Sequence, residues 1–366
     1  MKSSGGRAFF APTAPLAEPR QAFVKLRRLL RALLVHTVAM TSSLCTCARS
    51  KPALLSALLV LLLSCASPQT AADEPRAELL VLGTAQDAGV PQLGCRAACC
   101  EAVRAGRAPR RLVASVAIGL ASSGQRWLID CGPDLRAQEE LLRGFPAGRS
   151  EIGPRPALCE GILLTHAHMG HIAGLLQLGR EAAAARGLPV WCGPRLAALL
   201  RTQAPWHLLV EAGHIVVHEV LDGGVVQLAP GLSAEALQVP HRAECSETYA
   251  WIIRGPQRSV LYCPDIDRFS DFAGGVEALL ARADCVLLDG TFWSLDEIPG
   301  RGTADIPHPP IARTLELLAG RSALLRKLCF THLNHTNPAG WADSPQAHAV
   351  RAAGACVLQD GQVLQL

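Results

Sequence analysis

Short apolar runs alternate with Gly- and Pro-rich turns along the chain from residue 77 onward. Runs of this length, bounded by turn residues and rich in Val, Ile and Leu, are typical of β-strands that are buried on both faces. The predicted strands are Glu78–Leu82, Leu112–Leu120, Trp127–Cys131, Ile162–Leu164, Pro189–Cys192, Ile215–Val220, Val225–Leu228, Leu232–Val239, Thr248–Ile253, Ser259–Tyr262, Cys285–Leu288 and Leu328–Phe330.

Segments with helical periodicity separate several of these strands. The predicted helices are Asp134–Arg143, Ile172–Arg186, a segment after Pro194, Val276–Arg282, Ile311–Leu318 and Ser344–Ala353. Strands that outnumber helices, with helices placed between strands in both halves of the chain, predict two β-sheets flanked by helices. The expected fold class is therefore α+β, in an αββα sandwich.

The segment before residue 77 has a different pattern. Lys51–Ala66 has a basic start, an apolar run of about a dozen residues and then Leu63-Ser64-Cys65, which resembles a bacterial lipobox. The run is shorter than the roughly 20 residues of a stable bilayer span. We therefore interpret residues 1–76 as a leader and linker, and residues 77–366 as the folded domain.

The leader predicts export to the periplasmic side, with a lipid anchor on Cys65 as the contact with the membrane. A plain signal peptide and a membrane anchor helix are the alternatives. The chain has two candidate start residues, Met1 and Met40, and Met40 places Arg49 and Lys51 in a basic segment of ordinary length.

Composition excludes some classes of partner. The formal net charge is +4 and the Arg residues are scattered, so we expect no nucleic acid partner and a small-molecule substrate. A homodimer is left open. The chain has 14 Cys, and an exported protein is expected either to pair such thiols or to bind metal with them. Thiols at strand ends, such as Cys192, Cys285 and Cys329, are predicted to be small core residues.

Three histidines follow the strand Ile162–Leu164 within the segment GILLTHAHMGHIAG. On a helix, His166 and His168 would point about 200° apart, whereas on extended chain positions i and i+2 point the same way. Only the extended conformation lets both imidazoles bind one metal. His171, at the start of the next helix, would approach from another side.

Further candidate ligands stand at the ends of later strands. His241 follows Leu232–Val239, Asp265 follows Ser259–Tyr262, and His332 follows Leu328–Phe330. Imidazole and carboxylate are the donors expected in a catalytic zinc site.

The run from His166 to His171 resembles the H-x-H-x-D-H signature of the metallo-β-lactamase superfamily, with Gly170 in the Asp position. The resemblance implies that His166, His168 and His241 bind a first metal, that Asp265 bridges, and that His171 and His332 face a second position. Because Gly170 lacks the carboxylate of the signature, the number of metals, one or two, is open. Asp87, Cys263 and His335 are candidate substitutes, and zinc is expected, with iron as the alternative.

A second set of donors is Cys95, Cys99 and Cys100, which lacks one ligand of a tetrahedral zinc site. Relatives in the superfamily carry a C-x-C-x-x-C loop and a distant His on a structural zinc. The resemblance therefore implies that His308 closes the set and that Cys99 takes the role of the position occupied here by Ala97. A disulfide, with His308 in solvent, is the alternative.

Three segments resemble the branch of coenzyme PQQ synthesis protein B, which lies near the phosphodiesterases and tRNA-processing nucleases: LGTAQDAGVPQLGC, VPHRAECSET and THLNHTNPAGWADSPQ. The resemblance implies a metal-dependent hydrolase of a phosphodiester or related ester, in which Asp265 or Asp87 acts as general base on the attacking water. A β-lactam is a further substrate class. The alternatives are an oxidative role of the PQQ synthesis type with iron and oxygen, and a non-catalytic carrier.

Overall fold

The computed structural model describes residues 76–147, 149, 157–297 and 307–366. The predictions for the leader, including the lipobox at 51–66 and Cys65, lie outside these residues. Within the described part of the chain, no helix has both the length and the apolar character needed to cross a bilayer.

Two seven-stranded sheets form the centre of the fold. The strands are β1 (Ala77–Gly83), β2 (Ser115–Leu120), β3 (Gln125–Ile129), β4 (Gly161–Leu163), β5 (Leu188–Cys192), β6 (Ile215–Glu219), β7 (Val225–Ala229), β8 (Leu232–Gln238), β9 (Tyr249–Arg254), β10 (Ser259–Cys263), β11 (Cys285–Asp289), β12 (Leu328–Thr331), β13 (Cys356–Val357) and β14 (Val363–Gln365). Their spatial orders are β14-β1-β2-β3-β4-β5-β6 and β13-β12-β11-β10-β9-β8-β7.

Helices connect the strands. They are α1 (Ala98–Arg104), α2 (Leu135–Leu142), α3 (Met169–Ile172), α4 (Pro194–Thr202), α5 (His207–Glu211), α6 (Gly275–Leu280), α7 (Ile311–Leu317), α8 (Ser322–Leu325) and α9 (Pro345–Ala352). Short 3-10 segments occur at Ala173–Leu178, Phe269–Asp271, Leu295–Glu297 and Pro338–Gly340.

Burial on both faces of each sheet explains the continuous apolar runs in the sequence. On β1, Leu79 and Val81 belong to the core between the sheets, together with Trp251 and Tyr262 of the other sheet. Leu80 and Leu82 point the opposite way, into the core beneath the helices that cover the first sheet. A third core lies beneath the helices of the second sheet. The expected αββα sandwich is confirmed.

Each sheet has an antiparallel half and a parallel half. Strands β3 to β6 run parallel, as do β10 to β13. The carboxyl ends of parallel strands meet at one edge of a sheet, so residues just after β3, β4, β10, β11 and β12 can converge. Two hydrogen bonds join the sheets at that edge: Trp251 Nε1 donates to Leu164 O (3.1 Å) and Tyr249 N donates to Thr165 O (2.9 Å).

Two sequence predictions are wrong in detail. The helix expected over Ile172–Arg186 is only α3 followed by the 3-10 segment, and turns occupy the residues after Gly179. Gly in a helix interior is unfavourable relative to Ala, and Gly174 and Gly179 interrupt this Ala/Leu-rich stretch. Cys329 is not a simple core thiol, because it forms a disulfide with Cys356 on the neighbouring strand.

Candidate metal centre

Three imidazoles face one another, two from the loop after β4 of the first sheet and one from the loop after β8 of the second. His166 Nε2 lies 2.8 Å from His168 Nδ1, and His241 Nε2 lies 3.3 Å from the same His168 nitrogen. Two imidazole nitrogens bound to one tetrahedral zinc are separated by about 3.3 Å, given Zn–N bonds of about 2.05 Å. The three nitrogens therefore have the spacing of a shared metal site.

Asp265 stands between this triad and two further histidines. Its Oδ1 lies 3.6 Å from His241 Nε2, whereas its Oδ2 lies 3.2 Å from His171 Nε2 and 3.5 Å from His332 Nε2. One carboxylate oxygen faces each group. This is the arrangement expected of a ligand that bridges two cations.

The other ring nitrogens are held from outside the cluster. His166 Nδ1 lies 3.0 Å from Thr165 Oγ1, and His332 Nδ1 lies 3.0 Å from Thr291 Oγ1. Asp130 Oδ2 accepts from His171 Nδ1 (2.7 Å), and Asp267 Oδ1 accepts from His241 Nδ1 (2.7 Å). Such contacts fix the tautomer and the ring orientation of metal-bound histidine.

Around His171 and His332, on the far side of Asp265 from the triad, several polar atoms are buried and have no hydrogen-bond partner. Among the described residues, Asp87 Oδ1, His171 Nε2, Asp265 Oδ2 and His332 Nε2 are inaccessible to water and form no hydrogen bond. Leaving one buried polar atom unpaired costs about 1–3 kcal/mol, so four together need a common partner. A divalent cation would satisfy all four, and the donor set fits one.

Electrostatics support the same conclusion. Burial lowers the pKa of His166 well below its usual value and also lowers the pKa of His332, which keeps these rings in the neutral form that binds metal. Burial acts to lower the pKa of His171, but Asp130 and Asp265 outweigh it and raise that pKa well above its usual value. Carboxylates that attract a proton this strongly also attract a cation.

Two residues of the centre adopt backbone conformations that favour glycine. His332, a candidate ligand, has φ 59°, and Asp130, which holds His171, has φ 67°. Such conformations cost about 1–3 kcal/mol each and persist where the surrounding structure fixes them. Asp130 sits directly after β3, and sequence reasoning missed it, although the strand-end rule that selected His241, Asp265 and His332 also applies to it.

The Cys cluster lies on the loop after β1 and at the start of α1. His335 Nδ1 lies 3.7 Å from Cys95 Sγ, 3.5 Å from Cys99 Sγ and 3.5 Å from Cys100 Sγ. Tetrahedral zinc with Zn–S of about 2.3 Å and Zn–N of about 2.05 Å gives an S···N separation of about 3.55 Å. Burial and the neighbouring thiols raise the pKa of Cys100 to about 11, so a cation is needed to keep this sulfur as thiolate.

The fourth residue of this set corrects the sequence prediction. His308 does not lie beside the thiols: its Nδ1 is 2.6 Å from Asp289 Oδ2, at the end of β11, and its ring centroid is 5.4 Å from that of His241. His335 reaches the thiols because backbone hydrogen bonds join the loop after β12 to the loop after β1, from Gln86 N to Leu333 O (2.9 Å) and from Leu333 N to Thr84 O (2.8 Å).

The same two loops contribute donors to both clusters. The loop after β1 carries Asp87 and Cys95, and the loop after β12 carries His332 and His335. Of the candidate substitutes for the missing carboxylate, Asp87 groups with His171 and His332, whereas His335 belongs to the Cys set. Cys263 Sγ instead contacts the Asp265 carbonyl oxygen, at 3.7 Å.

This fold and these two clusters define a metal-binding protein of the metallo-β-lactamase class. A model of the β-lactamase superfamily domain matches residues 125–333, which include every histidine of the centre. The chain belongs to the β-lactamase superfamily, and its close homologues are coenzyme PQQ synthesis proteins B. The resemblance expected from the sequence is thus confirmed, and this fold generally supports metal-dependent hydrolysis.

The relatives match along nearly their whole length. The chain is 31% identical to coenzyme PQQ synthesis protein B of Methylococcus capsulatus, over 77% of the chain and 97% of that protein. It is 30% identical to the protein of the same name from Stutzerimonas stutzeri, over 78% and 99%. Among solved structures, Zn²⁺-bound PqqB from Methylobacterium extorquens superimposes with a TM-score of 0.65 at 25% identity, covering 79% of this chain and all of that one.

A diphosphatase of the PhnP family shares the fold. Its TM-score is 0.55 at 23% identity, and the match covers 80% of this chain and 97% of that one. This similarity shows the architecture alone.

Metal analysis can separate His308, the fourth zinc ligand predicted from the sequence, from His335, which the structure places beside the thiols. His335→Ala should lose one zinc per chain and lower the melting temperature, because structural zinc contributes directly to folding. His308→Ala should keep that zinc. The measurement is elemental analysis of the full chain after gel filtration, beside Cys99→Ala as the positive control. Retention of the wild-type zinc count in His335→Ala would contradict the assignment.

Proposed function

We propose that the protein is a metal-dependent hydrolase of a phosphodiester or related phosphate ester. The observation that carries the proposal is the pair of donor groups on either side of Asp265, of which the second has buried atoms without a hydrogen-bond partner. Their donors would hold one cation at His166, His168 and His241, and a second at His171, His332 and Asp265. Zinc is the proposed metal because three imidazoles in this geometry suit it, and the PqqB structure from Methylobacterium extorquens is described as Zn²⁺-bound.

When bound, such cations act as Lewis acids on a phosphoryl oxygen and lower the pKa of water, and paired cations of this kind occur in phosphatases and nucleases. Asp265 has the charge state that this chemistry needs. Burial alone would raise its pKa, but the neighbouring histidines outweigh burial and hold the pKa well below the usual carboxyl range; among them, His171 is the one whose own pKa is raised. Asp265 is therefore ionised, which suits a cation ligand but makes it a weak base, so we propose that Asp87 accepts the proton of the attacking water.

His308 supplies a proton donor on the side of the centre formed by the second sheet. Asp289 Oδ2 accepts from its Nδ1, which leaves Nε2 as the nitrogen that does not face Asp289. The ring is 5% exposed and lies 6.0 Å, between centroids, from His332. A buried imidazole oriented by a carboxylate in this way is suited to protonate a leaving group.

A second candidate function is a role of the PQQ synthesis type, with iron and oxygen. The names of the relatives at 31% and 30% identity favour it. A centre of histidines and carboxylates with open positions also suits non-haem iron. The metal that copurifies separates the two: zinc with phosphodiester hydrolysis supports the first, and iron with oxygen consumption supports the second.

We also propose that the protein is exported and lipid-anchored at Cys65. The disulfide between Cys329 and Cys356 supports this proposal, because such bonds persist in oxidising compartments and are rare in the cytosol. A small molecule remains the proposed partner.

Removal of one imidazole of the triad should abolish hydrolysis without unfolding the chain. His168→Ala should lose the first metal and reduce kcat/KM on bis(p-nitrophenyl) phosphate by more than about a thousandfold, since metal-dependent activation is lost. His348→Ala, an exposed histidine on α9, is the matched control and should keep full activity. Comparable activity of His168→Ala and wild type would refute the proposed site.

The proposed role of His308 as general acid can be tested by comparing substrates whose leaving groups differ in pKa. His308→Gln should slow a methyl p-nitrophenyl phosphodiester little when p-nitrophenolate leaves, because that anion needs no proton. It should slow cleavage that expels an alkoxide by about 10²–10⁴, the usual range for a general acid. The slope of log kcat against leaving-group pKa is the measurement. An unchanged slope would remove His308 from this role.

The anchor is tested by labelling cells with a radioactive fatty acid. Wild type should carry the label in the membrane fraction, and Cys65→Ser should carry none, because its side chain cannot accept the thioether-linked lipid. Cys47→Ser, in the same leader, is the control and should label normally. Unlabelled wild-type protein in the cytoplasmic fraction would contradict the proposal.

A further inference from the structure

The second metal position lacks the carboxylate that the superfamily signature places at residue 170. Gly170 lies in α3, next to His171, and is not among the residues of positive φ. Its backbone conformation therefore does not require glycine. Another constraint must exclude a side chain from this position.

That constraint is the side chain of Asp87. A Cβ at position 170 would lie 2.1 Å from Asp87 Oδ1, 2.8 Å from Asp87 Cα and 3.0 Å from Asp87 Cγ. Such contacts are far below the closest approach of real atoms, and the Cα is backbone that cannot rotate away. The space that an Asp at 170 would occupy is already filled by a carboxylate from the loop after β1.

Asp87 also faces His171 and His332, the two histidines of the metal position that lacks a fourth protein ligand. Its Oδ1 lies 3.9 Å from His171 Nε2, and the donor atoms of Asp87, His171 and His332 all lie within 4.8 Å of one another. The same Oδ1 is buried and forms no hydrogen bond. Its position is fixed, since Gln86 N donates to Leu333 O at 2.9 Å and so ties Asp87 to the residue after His332.

We infer that Asp87 has taken over the ligand role of the signature Asp, and that Gly170 is the accommodating change that makes room for it. The chain would then bind two cations in the centre: one at His166, His168 and His241, the other at Asp87, His171 and His332, with Asp265 between them. This inference rests on the metal centre of the proposed function, but not on the reaction that the centre performs.

Metal stoichiometry of the full chain tests the inference. Loaded with zinc and freed of excess metal, wild type should hold three zinc ions per chain: two in the centre and one at the Cys cluster. Asp87→Asn should hold two, with affinity for the second centre zinc weakened by at least about a hundredfold, because loss of even an outer partner of a ligand costs 10–100-fold.

Two companion variants make the test specific. Gly170→Ala removes no donor atom, yet it should also lose one zinc, because its Cβ displaces Asp87. Asp134→Asn is the matched control: Asp134 Oδ2 accepts from Val113 N at 2.9 Å near the same loop but does not face the centre, so three zinc ions should remain. Cobalt substitution gives a second readout, in which the visible spectrum of the weaker site disappears in both Asp87→Asn and Gly170→Ala.

Two results would overturn the inference: wild type with only one zinc besides that of the Cys cluster, or Asp87→Asn with the full wild-type count. Failure of the proposed hydrolase function would give a different result from failure of the Asp87 inference. In that case no ester is cleaved, while the zinc counts of wild type, Asp87→Asn and Gly170→Ala still follow the expected series.

Discussion

The structure of the metal centre depends on the electrostatic cost of burying imidazoles and carboxylates close together. Burial disfavours the charged form of each group, and their lone pairs point at one another rather than at donors. A set of this kind is stable only if positive charge compensates it. The Asp130 and Asp267 carboxylates hold the outward nitrogens of His171 and His241, so the inward nitrogens keep their lone pairs available. The rings are thereby oriented before any cation arrives, which reduces the conformational entropy lost on binding.

The packing of the two sheets brings these groups together. Neither sheet holds the centre alone, because His166 and His171 follow a strand of the first sheet, whereas Asp265 and His332 follow strands of the second. The parallel halves of both sheets place their carboxyl ends at one edge. Hydrogen bonds from Trp251 and Tyr249 to the backbone just before His166 then fix the position of one sheet relative to the other. The chain resembles coenzyme PQQ synthesis protein B along this whole scaffold, and the chemistry at its edge is set by a few loop residues.

Much of this could be predicted from the sequence because the signals are local. Strand ends followed by His or Asp identified His241, Asp265 and His332, and the i, i+2 spacing on extended chain identified His166 with His168. The predictions that failed concern contacts between residues far apart in the sequence. His308 was predicted for the Cys cluster, but His335 completes it because of backbone pairing between the loops after β1 and β12, which leaves no periodic pattern in the sequence. The clash between position 170 and Asp87 likewise joins residues 83 positions apart. Helix length was misjudged where Gly174 and Gly179 outweigh an Ala-rich composition.

The loops after β1 and β12 each contribute donors to both clusters, so the two proposed cation sites share the same two backbone segments. A cation bound at the Cys cluster would hold Cys95 beside His335, and would thereby restrict the positions open to Asp87 and His332 on the same two segments. If a cation at the Cys cluster raises the affinity of the metal centre, a cation in the metal centre must by reciprocity raise the affinity of the Cys cluster by the same factor. Loss of the cation at the Cys cluster would then lower the affinity of the metal centre for its own cation without altering any ligand of that centre.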